Sequence, residues 1–494
     1  MHQFRLPGRV VLEILGEVFP QPSSFHVEWR NRGTAGQALR ESDEIPPERL
    51  LQVVWYHQRL RRGELRTHDG RALRVLHPGF WNREAGPDFR AAVIQFEGEA
   101  PQTTDIEIDL HSAGWRAHKH EGNPNFVGVA LHVVWRAERP IALPTLALEP
   151  VLDAPLSELE RWLGSETAGS FPLELFGQCC APLRGFDPER LTKLLQEAAL
   201  VRFQSKAAQF QARAREAGWE QALWEGLFRA LGYKHNVWPM QRLAELRAQL
   251  DRDKGSPDPL ALQARLLGVA GLLPDQLPGT RAGTDNYPRR LWDIWWRERD
   301  SCAEVLMPRS LWRFSGIRPA NHPQRRVALA AHWLAARSLP ARLEKWAVAG
   351  ASEISPAHSL LELFQAAGAD EFWSWHWTLR SKRLSKPQSL LGATRVTELA
   401  VNVVLPWLWI RAVEGKNDAL RLELEQRFLA WPSAEDNAVL RLARQRLLGR
   451  APARVLRGAA AQQGLLQVVR DFCQHSNSLC ADCRFPALVR QWPG

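Results

Sequence analysis

Two periodicities divide the chain. Between residues 71 and 149, short stretches rich in Val, Ile or Leu are separated by Gly, Pro or Asn, which is typical of β-strands. From about residue 186 onward, Leu, Ala and Trp recur at spacings of three and four, which indicates amphipathic helices. The pattern therefore predicts a mixed first half and an all-helical second half.

The first half begins with a predicted helix. Pro46 and Pro47 stand in its first turn, and Leu50, Leu51 and Val54 follow at helical spacing. The polar residues 112–126 predict a short helix or an ordered loop before the fourth strand. The predicted strands are residues 71–77, 89–96, 104–111, 127–135 and, as a fifth, 144–149.

The second half contains long helical patterns without a fixed repeat, so a solenoid is not predicted. The clearest predicted helices are residues 189–217, 220–231, 259–270, 326–337, 396–413 and 435–448. We expect three regions: a lead-in over 1–45, a mixed α/β domain over 46–160, and a helical domain over 186–494 that ends in a cysteine cluster.

The apolar pattern excludes a membrane-spanning protein. Its longest apolar stretch, residues 400–410, is interrupted by Asn402 and Pro406 and is too short to cross a bilayer. The first residues contain Glu13 and Glu17 and are not followed by a small-residue cleavage site, so no signal peptide is predicted. We expect a cytoplasmic protein.

The net charge is +10, with a pI near 9.7, which suits a polyanionic partner. Of the 64 basic residues, 55 are Arg and 9 are Lys; Arg binds phosphate in a bidentate manner, although codon usage is an alternative explanation. We predict nucleic acid as the partner, with DNA and RNA both open. Candidate contacts, each with a solvated helix face or a helix cap as the alternative, are Arg318, Asn321, Arg380, Lys382 and Arg383.

The third predicted strand has the strongest chemical signal. Because side chains alternate along a strand, Asp105, Glu107, Asp109 and His111 are expected on one face. Three carboxylates in line repel one another unless a cation lies among them, and Mg²⁺ or Mn²⁺ suits oxygen ligands. We therefore predict a divalent metal site on this strand.

Histidines are concentrated next to that strand. His111, His118, His120 and His132 fall within 22 residues, whereas the whole chain has 15 histidines. Imidazole groups titrate near neutral pH and serve as acids, bases or ligands. His118, Lys119 and His120 are therefore candidates to act on a water molecule or on a leaving oxygen, while individual histidines satisfied within the fold are the alternative.

The strand chemistry resembles the PD-(D/E)xK nuclease core, in which an Asp after Pro and a Glu on the next strand hold a divalent ion. In that resemblance Asp88, after Pro87, is the first ligand and Glu107 the second, with the backbone of Ile108 as a third. The lysine of the motif, two residues after the Glu, is replaced here by Asp109. The resemblance implies phosphodiester hydrolysis, with Lys119 or a nearby histidine in the role of the missing lysine.

Longer stretches resemble a bacterial family, domain of unknown function 2851, over nearly the whole chain. Where that family usually reads Glu-Ile-His, this chain has Glu107-Ile108-Asp109. The resemblance implies no activity of its own. The matching stretches are Leu76-His77-Pro78-Gly79, Asn82, Ala85-Gly86-Pro87-Asp88-Phe89, Ile106-Glu107-Ile108, Trp115-Arg116-Ala117-His118-Lys119-His120, Leu131-His132-Val133-Val134, Leu231-Gly232-Tyr233-Lys234-His235-Asn236, Ile317-Arg318-Pro319-Ala320-Asn321-His322-Pro323 and the terminal cysteines.

The cysteines predict a second metal site near the end of the chain. Cys480 and Cys483 form a Cys-x-x-Cys pair, and Cys473 and His475 supply two further ligands for tetrahedral Zn²⁺. The alternatives are an iron–sulfur cluster held by the three cysteines together with Cys180 or Cys179, and reduced structural thiols.

Two functions follow from these patterns. The first is a metal-dependent nuclease, with Asp88 and Glu107 as metal ligands and Asp109 or His111 as an auxiliary ligand. In it, His118, Lys119 or His120 acts on the water or the leaving oxygen. The second is a nucleic-acid-binding or scaffold protein that keeps the fold without the catalytic lysine.

Overall fold

The chain divides into two compact units. One, the sheet unit, consists of Ile45–Leu156 and Arg213–Leu399; the other, the helical unit, includes Ser157–Ala212 and Ala400–Gly494. This division differs from the expected succession of domains, because helices from the middle of the chain belong with the strands. The computed structural model describes residues 45–82, 86–118, 120–138, 141–163, 181–252, 258–274, 286–349, 355–365, 370–449 and 456–472, with Phe485 and Val489.

The strands of the sheet unit form one mixed sheet in the order β1-β3-β4-β5-β6, with β2 paired to β3. Strand β3 pairs antiparallel with β1, β2 and β4. Strand β5 pairs parallel with β4 and with β6. The bounds are β1 Leu73–His77, β2 Phe80–Trp81, β3 Phe89–Phe96, β4 Gln102–His111, β5 Val129–Arg136 and β6 Thr145–Ala147.

The centre of this sheet is covered on both sides. Ile106 and Ile108 of β4 are buried, and the alternating Glu107 and Asp109 are buried as well. Helix α1, Glu48–His57, packs against β4 through its apolar face. This packing explains why apolar residues recur at helical spacing in this segment. The acidic side of β4 therefore lies in a partly enclosed space.

A partly buried ion pair links the loop before β1 to a helix of the same unit. Arg62 lies 3.0 Å from Glu245, which also pairs with Arg242 at 3.2 Å. The helices that lie wholly in this unit are α2 Gly114–Ala117, α5 Trp219–Leu231, α6 Val237–Glu245, α7 Arg247–Leu250, α8 Pro259–Val269, α9 Tyr287–Glu298, α10 Pro323–Ala335, α11 Leu339–Val348, α12 Pro356–Gln365 and α13 Ala393–Leu399.

The helical unit has an aliphatic core in which Leu194, Leu195, Leu465 and Val468 are almost completely buried. Its helices are α14 Leu405–Glu414, α15 Asp418–Ala430, α16 Ala438–Leu448 and α17 Gly458–Phe472, together with most of α3 Leu156–Leu163 and of α4 Pro188–Ala217. A π-helical segment, Ala400–Val404, precedes α14.

The mixed α+β architecture predicted from the sequence is confirmed, and the larger part of the described chain is helical. The five predicted strands agree with β1, β3, β4, β5 and β6 to within a few residues. The two-residue strand β2 was not predicted, because Phe80–Trp81 is too short to show a periodicity. The predicted helix over 396–413 corresponds to one continuous stretch, Ala393–Glu414.

The expectation that the apolar stretch is too short to cross a bilayer is wrong on length: this 22-residue helix is long and apolar enough to do so, with a mean hydropathy of 1.4, and it is the one such helix within the described residues. Of its apolar window, 78% is buried inside the protein. A buried helix of this kind is typical of the core of a soluble protein. The cytoplasmic location stays a prediction.

Candidate functional site: a carboxylate–histidine cluster

Glu107 and the backbone of Ile108, both on β4, contact Asp88, which precedes β3. The backbone N–H of Asp88 donates to Oε2 of Glu107 at 3.1 Å, and Oδ2 of Asp88 accepts the N–H of Ile108 at 3.1 Å. Gly86 has a φ of +123°, a conformation that glycine adopts without strain, and it turns the chain into Pro87 and Asp88. The two strands thus place the acidic groups side by side.

Asp109 is held by two histidines. Its Oδ2 lies 2.8 Å from Nε2 of His132 on β5, and its Oδ1 lies 3.0 Å from Nδ1 of His118, which follows α2. A Cβ at Gly114 would lie 2.6 Å from Cγ of Asp109. The glycine therefore lets α2 approach β4 closely enough for His118 to reach the carboxylate.

His120 completes the arrangement. Its Nε2 lies 3.1 Å from Oε1 of Glu107, and donor atoms of Asp109, His118 and His120 all lie within 4.8 Å of one another. Its ring stacks on Phe126, with centroids 3.9 Å apart. We call Asp88, Glu107, Asp109, His118, His120 and His132 the carboxylate–histidine cluster.

Both ring nitrogens of His120 are buried and, within the described part of the chain, have no hydrogen-bond partner. The contact between His120 and Glu107 is therefore close without having hydrogen-bond geometry. Buried polar atoms are normally satisfied, and an orphaned pair beside a carboxylate is the environment of a metal ligand. The donor set of carboxylates and imidazoles fits a divalent cation.

The electrostatics of the cluster favour a cation. Burial raises the pKa of Asp88 to about 7, and repulsion by Glu48 and Asp109 acts in the same direction. Hydrogen bonds from Ile108 and Gln52 lower the pKa and offset part of this effect. Burial, followed by the repulsion of Asp88, raises the pKa of Glu107 to about 8. A positive charge placed among these groups would stabilise their ionised forms.

The pKa of the His120 imidazole is shifted in the direction expected of a metal ligand. Burial is the main cause that lowers its pKa, and it outweighs the attraction of Asp109. The neutral ring keeps a lone pair available near neutral pH.

Two residues predicted for this face lie elsewhere. Asp105 accepts the N–H of Ala91 at 3.0 Å, where the register between β3 and β4 shifts and Ala91 has a φ of +54°. His111 pairs with Glu138 at 3.1 Å, and both side chains are well exposed. Of the four side chains expected on one face of this strand, Glu107 and Asp109 belong to the cluster, whereas the bulge and the strand end give Asp105 and His111 other partners.

Sequence reasoning did not assign Glu48, Gln52 or His132 to the site. Gln52 donates to Oδ1 of Asp88 at 2.9 Å and to Glu48 at 3.3 Å. A buried glutamine among the apolar residues of α1 is a signal that could have identified it, since buried polar groups need a partner. His132 was visible only as part of the histidine concentration.

Several predicted site residues lie outside the described residues: Lys119, Cys179, Cys180, Cys473, His475, Cys480 and Cys483. The predicted zinc or iron–sulfur site therefore stays a prediction.

The predicted nucleic-acid contacts belong to the sheet unit and do not join the cluster. Arg318, Arg380, Lys382 and Arg383 are exposed, and the guanidinium of Arg383 lies 4.2 Å from the ring centroid of Trp375. Asn321 instead accepts a hydrogen bond from Arg326.

The fold and the cluster define a mixed α+β protein with a carboxylate–histidine site on a parallel strand pair. The chain belongs to the family described as "Protein of unknown function (DUF2851)", whose model matches residues 48–438. The matched range includes every residue of the cluster. Searches of the curated proteins and of the solved structures found no significant match.

Proposed function

We propose that the protein is a divalent-metal-dependent phosphodiesterase that acts on nucleic acid. One observation carries the proposal: Asp109, His118 and His120 direct ligand atoms to within 4.8 Å of one another, beside Glu107. Convergent carboxylates and imidazoles on two strands and a short insert are a typical metal-ligand set.

The ligands we assign are Glu107, Asp109, His118 and His120. Imidazole ligands suit Zn²⁺ and Fe²⁺ best; Mn²⁺ prefers oxygen ligands but accepts imidazole beside them more readily than Mg²⁺ does. Of the two ions in the sequence prediction, the cluster therefore favours Mn²⁺. When bound, such an ion lowers the pKa of a coordinated water and polarises a phosphoryl oxygen.

The protein groups around these ligands orient them. His132 holds Oδ2 of Asp109, so Oδ1 is directed towards His118. The N–H of Asp88 holds Oε2 of Glu107, so Oε1 is directed towards His120. The carboxylate of Asp88 is in turn fixed by Gln52 and the N–H of Ile108.

The neighbouring positions of Asp88, directly before β3, and Glu107, on the adjacent strand β4, support a phosphodiesterase that resembles the PD-(D/E)xK type. The proposal departs from that resemblance in one respect: Asp88 orients Glu107 and is not itself assigned as a ligand. Exposed arginines of the same unit and the net charge of +10 suit a phosphate backbone.

A specific observation favours a second candidate function, nucleic-acid binding without hydrolysis. The position of the motif lysine is Asp109, whose two oxygens contact His132 and His118. This position therefore has no cation of the lysine type to stabilise charge on a scissile phosphate.

A cleavage assay separates the two functions. Labelled single- and double-stranded DNA and RNA are incubated with metal-free protein, then with Mn²⁺, Zn²⁺ or Mg²⁺. We expect Mn²⁺-dependent cleavage that falls at least about a hundredfold in Glu107→Gln and Asp109→Asn. The matched control is Asp105→Asn, which changes a carboxylate of the same strand outside the cluster. Equal residual cleavage in all three variants would remove the enzyme and leave the binding function.

A further inference from the structure

A second unusual group of side chains lies on the turn between α5 and α6. The ring of Tyr233 faces two arginines: the guanidinium carbon of Arg395 lies 3.6 Å from its centroid and that of Arg326 lies 5.4 Å away. Tyr233 lies on this turn, Arg326 on α10 and Arg395 on α13, all within the sheet unit. We call Tyr233, Arg326 and Arg395 the arginine–tyrosine cluster.

The turn that presents Tyr233 is held rigidly. Tyr233 has a φ of +54°, which is strained for a residue with a side chain. Asn236 fixes the turn by accepting the N–H of Arg313 at 2.8 Å and donating to its carbonyl at 3.0 Å. A simple connection between two helices does not require a tyrosine in a strained backbone conformation, so this arrangement suggests a role for the side chain.

Arg326 is buried without a counter-ion. It is 5% exposed, and its terminal nitrogens donate to carbonyl oxygens of Leu390 and Ala320 and to Asn321. Among the described residues it forms no ion pair, and its Nε has no hydrogen-bond partner. A buried cation with only neutral partners destabilises the fold unless an anion compensates it.

Arg395 adds a second charge. Its side chain is 12% exposed and pairs with Glu398, while its Nε is also a buried orphan in the described part of the chain. Glu398 thus pairs with one of the two guanidinium groups, and Arg326 has no ion pair among the described residues. Lys234 and Arg313, both exposed, lie on and beside the same turn, so the surroundings are cationic as well.

We propose that the arginine–tyrosine cluster is a binding site for a phosphate group. Two orphaned guanidinium N–H groups match the acceptor oxygens of phosphate, and the Tyr233 hydroxyl supplies a third donor. The terminal nitrogens of Arg326 are satisfied by two backbone carbonyls and Asn321, and Arg395 pairs with Glu398. These contacts leave the Nε of both arginines without a partner in the part of the chain that the structure describes. The site is independent of the metal proposed for the carboxylate–histidine cluster.

The test is a titration of the full chain with inorganic phosphate in the presence of EDTA, so that the metal site does not contribute. Binding is measured by calorimetry and by the rise in Tm, against chloride at equal ionic strength. The variants are Arg395→Gln and Tyr233→Phe. The matched control is Arg299→Gln, because Arg299 also lies over an aromatic ring, 3.5 Å from the centroid of Trp296.

We expect saturable phosphate binding that weakens at least tenfold in Arg395→Gln and severalfold in Tyr233→Phe, with Arg299→Gln unchanged. Single-stranded oligonucleotides with and without a 5′ phosphate then distinguish a terminal phosphate from an internal phosphodiester. Tyr233→Phe preserves the ring packing, so it decides the matter if Arg395→Gln does not fold. Binding that chloride reproduces, or that no cluster variant weakens, would overturn the proposal.

Discussion

Nε2 of His132 and Oδ2 of Asp109 form a 2.8 Å hydrogen bond between two neighbouring parallel strands, and both side chains are almost fully buried. An imidazole that contacts a carboxylate in this way fixes its orientation before any ligand binds. The contact directs the other oxygen of Asp109 towards His118, as the proposed metal site requires.

Replacing His132 is expected to weaken both the fold and the metal site. His132→Ala leaves a buried carboxylate oxygen without its partner, so the free energy of unfolding should fall by about 1–3 kcal/mol. Metal affinity should fall about 10- to 100-fold, because Asp109 is no longer oriented. Urea denaturation and metal titration measure the two effects.

The control for that variant is His111→Ala, which removes an exposed histidine paired with Glu138. Its stability should change by less than about 0.5 kcal/mol. Equal effects of the two substitutions would contradict the orienting role of His132.

The metal-free protein should lose stability as the pH rises. Asp88 and Glu107 have pKa values of about 7 and about 8, against 3.8 and 4.5 as ordinary values. The folded state therefore binds protons that the unfolded chain has released, and the free energy of unfolding falls between about pH 4 and pH 8. Denaturation in EDTA should give a value at least about 1 kcal/mol lower at pH 8 than at pH 5.

Glu107→Gln, which is neutral at every pH, should reduce this pH dependence, and Asp105→Asn should leave it unchanged. A free energy of unfolding that rises from pH 5 to pH 8, with the same slope in both variants, would contradict this prediction. It would show that the pKa values of the two carboxyl groups are not raised in the folded state.

Metal binding should strengthen over the same pH range. Protons on Glu107 compete with a cation, so binding releases them and the apparent affinity rises with pH. The rise in Tm caused by Mn²⁺ is expected to be larger at pH 8 than at pH 5.5. An equal rise at both values would indicate that the ion binds away from these carboxylates.

Gly114 is expected to be required for the site and much less for the fold. A Cβ at this position meets Asp109 Cγ at 2.6 Å, so Gly114→Ala must push α2 away from β4. His118 then loses its contact with Asp109. We expect Mn²⁺ affinity to fall at least tenfold while Tm changes by a few degrees, whereas Gly63→Ala, at an open position without a left-handed backbone conformation, leaves the affinity unchanged. Unchanged Mn²⁺ binding in Gly114→Ala would exclude this packing role.

The features of the fold and of the site that depend on residues close together in the chain could be predicted from the sequence. Alternation along β4 separates Ile106 and Ile108 from Glu107 and Asp109, and the Pro87-Asp88 step identifies the neighbouring strand. These features depend on residues two to four apart, which a periodicity can represent.

The remaining part of the site depends on contacts between distant residues. Gln52 reaches Asp88 across 36 positions and His132 reaches Asp109 across 23, so neither partner appears in a local pattern. The bulge at Ala91 also withdraws Asp105 in a way that regular alternation does not represent. For the same reason the division of the chain into units was not visible, since it joins strands to helices that follow much later.

The most direct test of the account is the Mn²⁺ stoichiometry of the full chain, measured by calorimetry after treatment with EDTA. Mn²⁺ is chosen because thiolate ligands bind it weakly, which separates this site from the cysteines. We predict one Mn²⁺ per chain for the wild type, and none for the double variant Asp109→Asn with His120→Gln. No binding to the wild type, or one ion retained by the double variant, would contradict the proposal that the carboxylate–histidine cluster holds a metal.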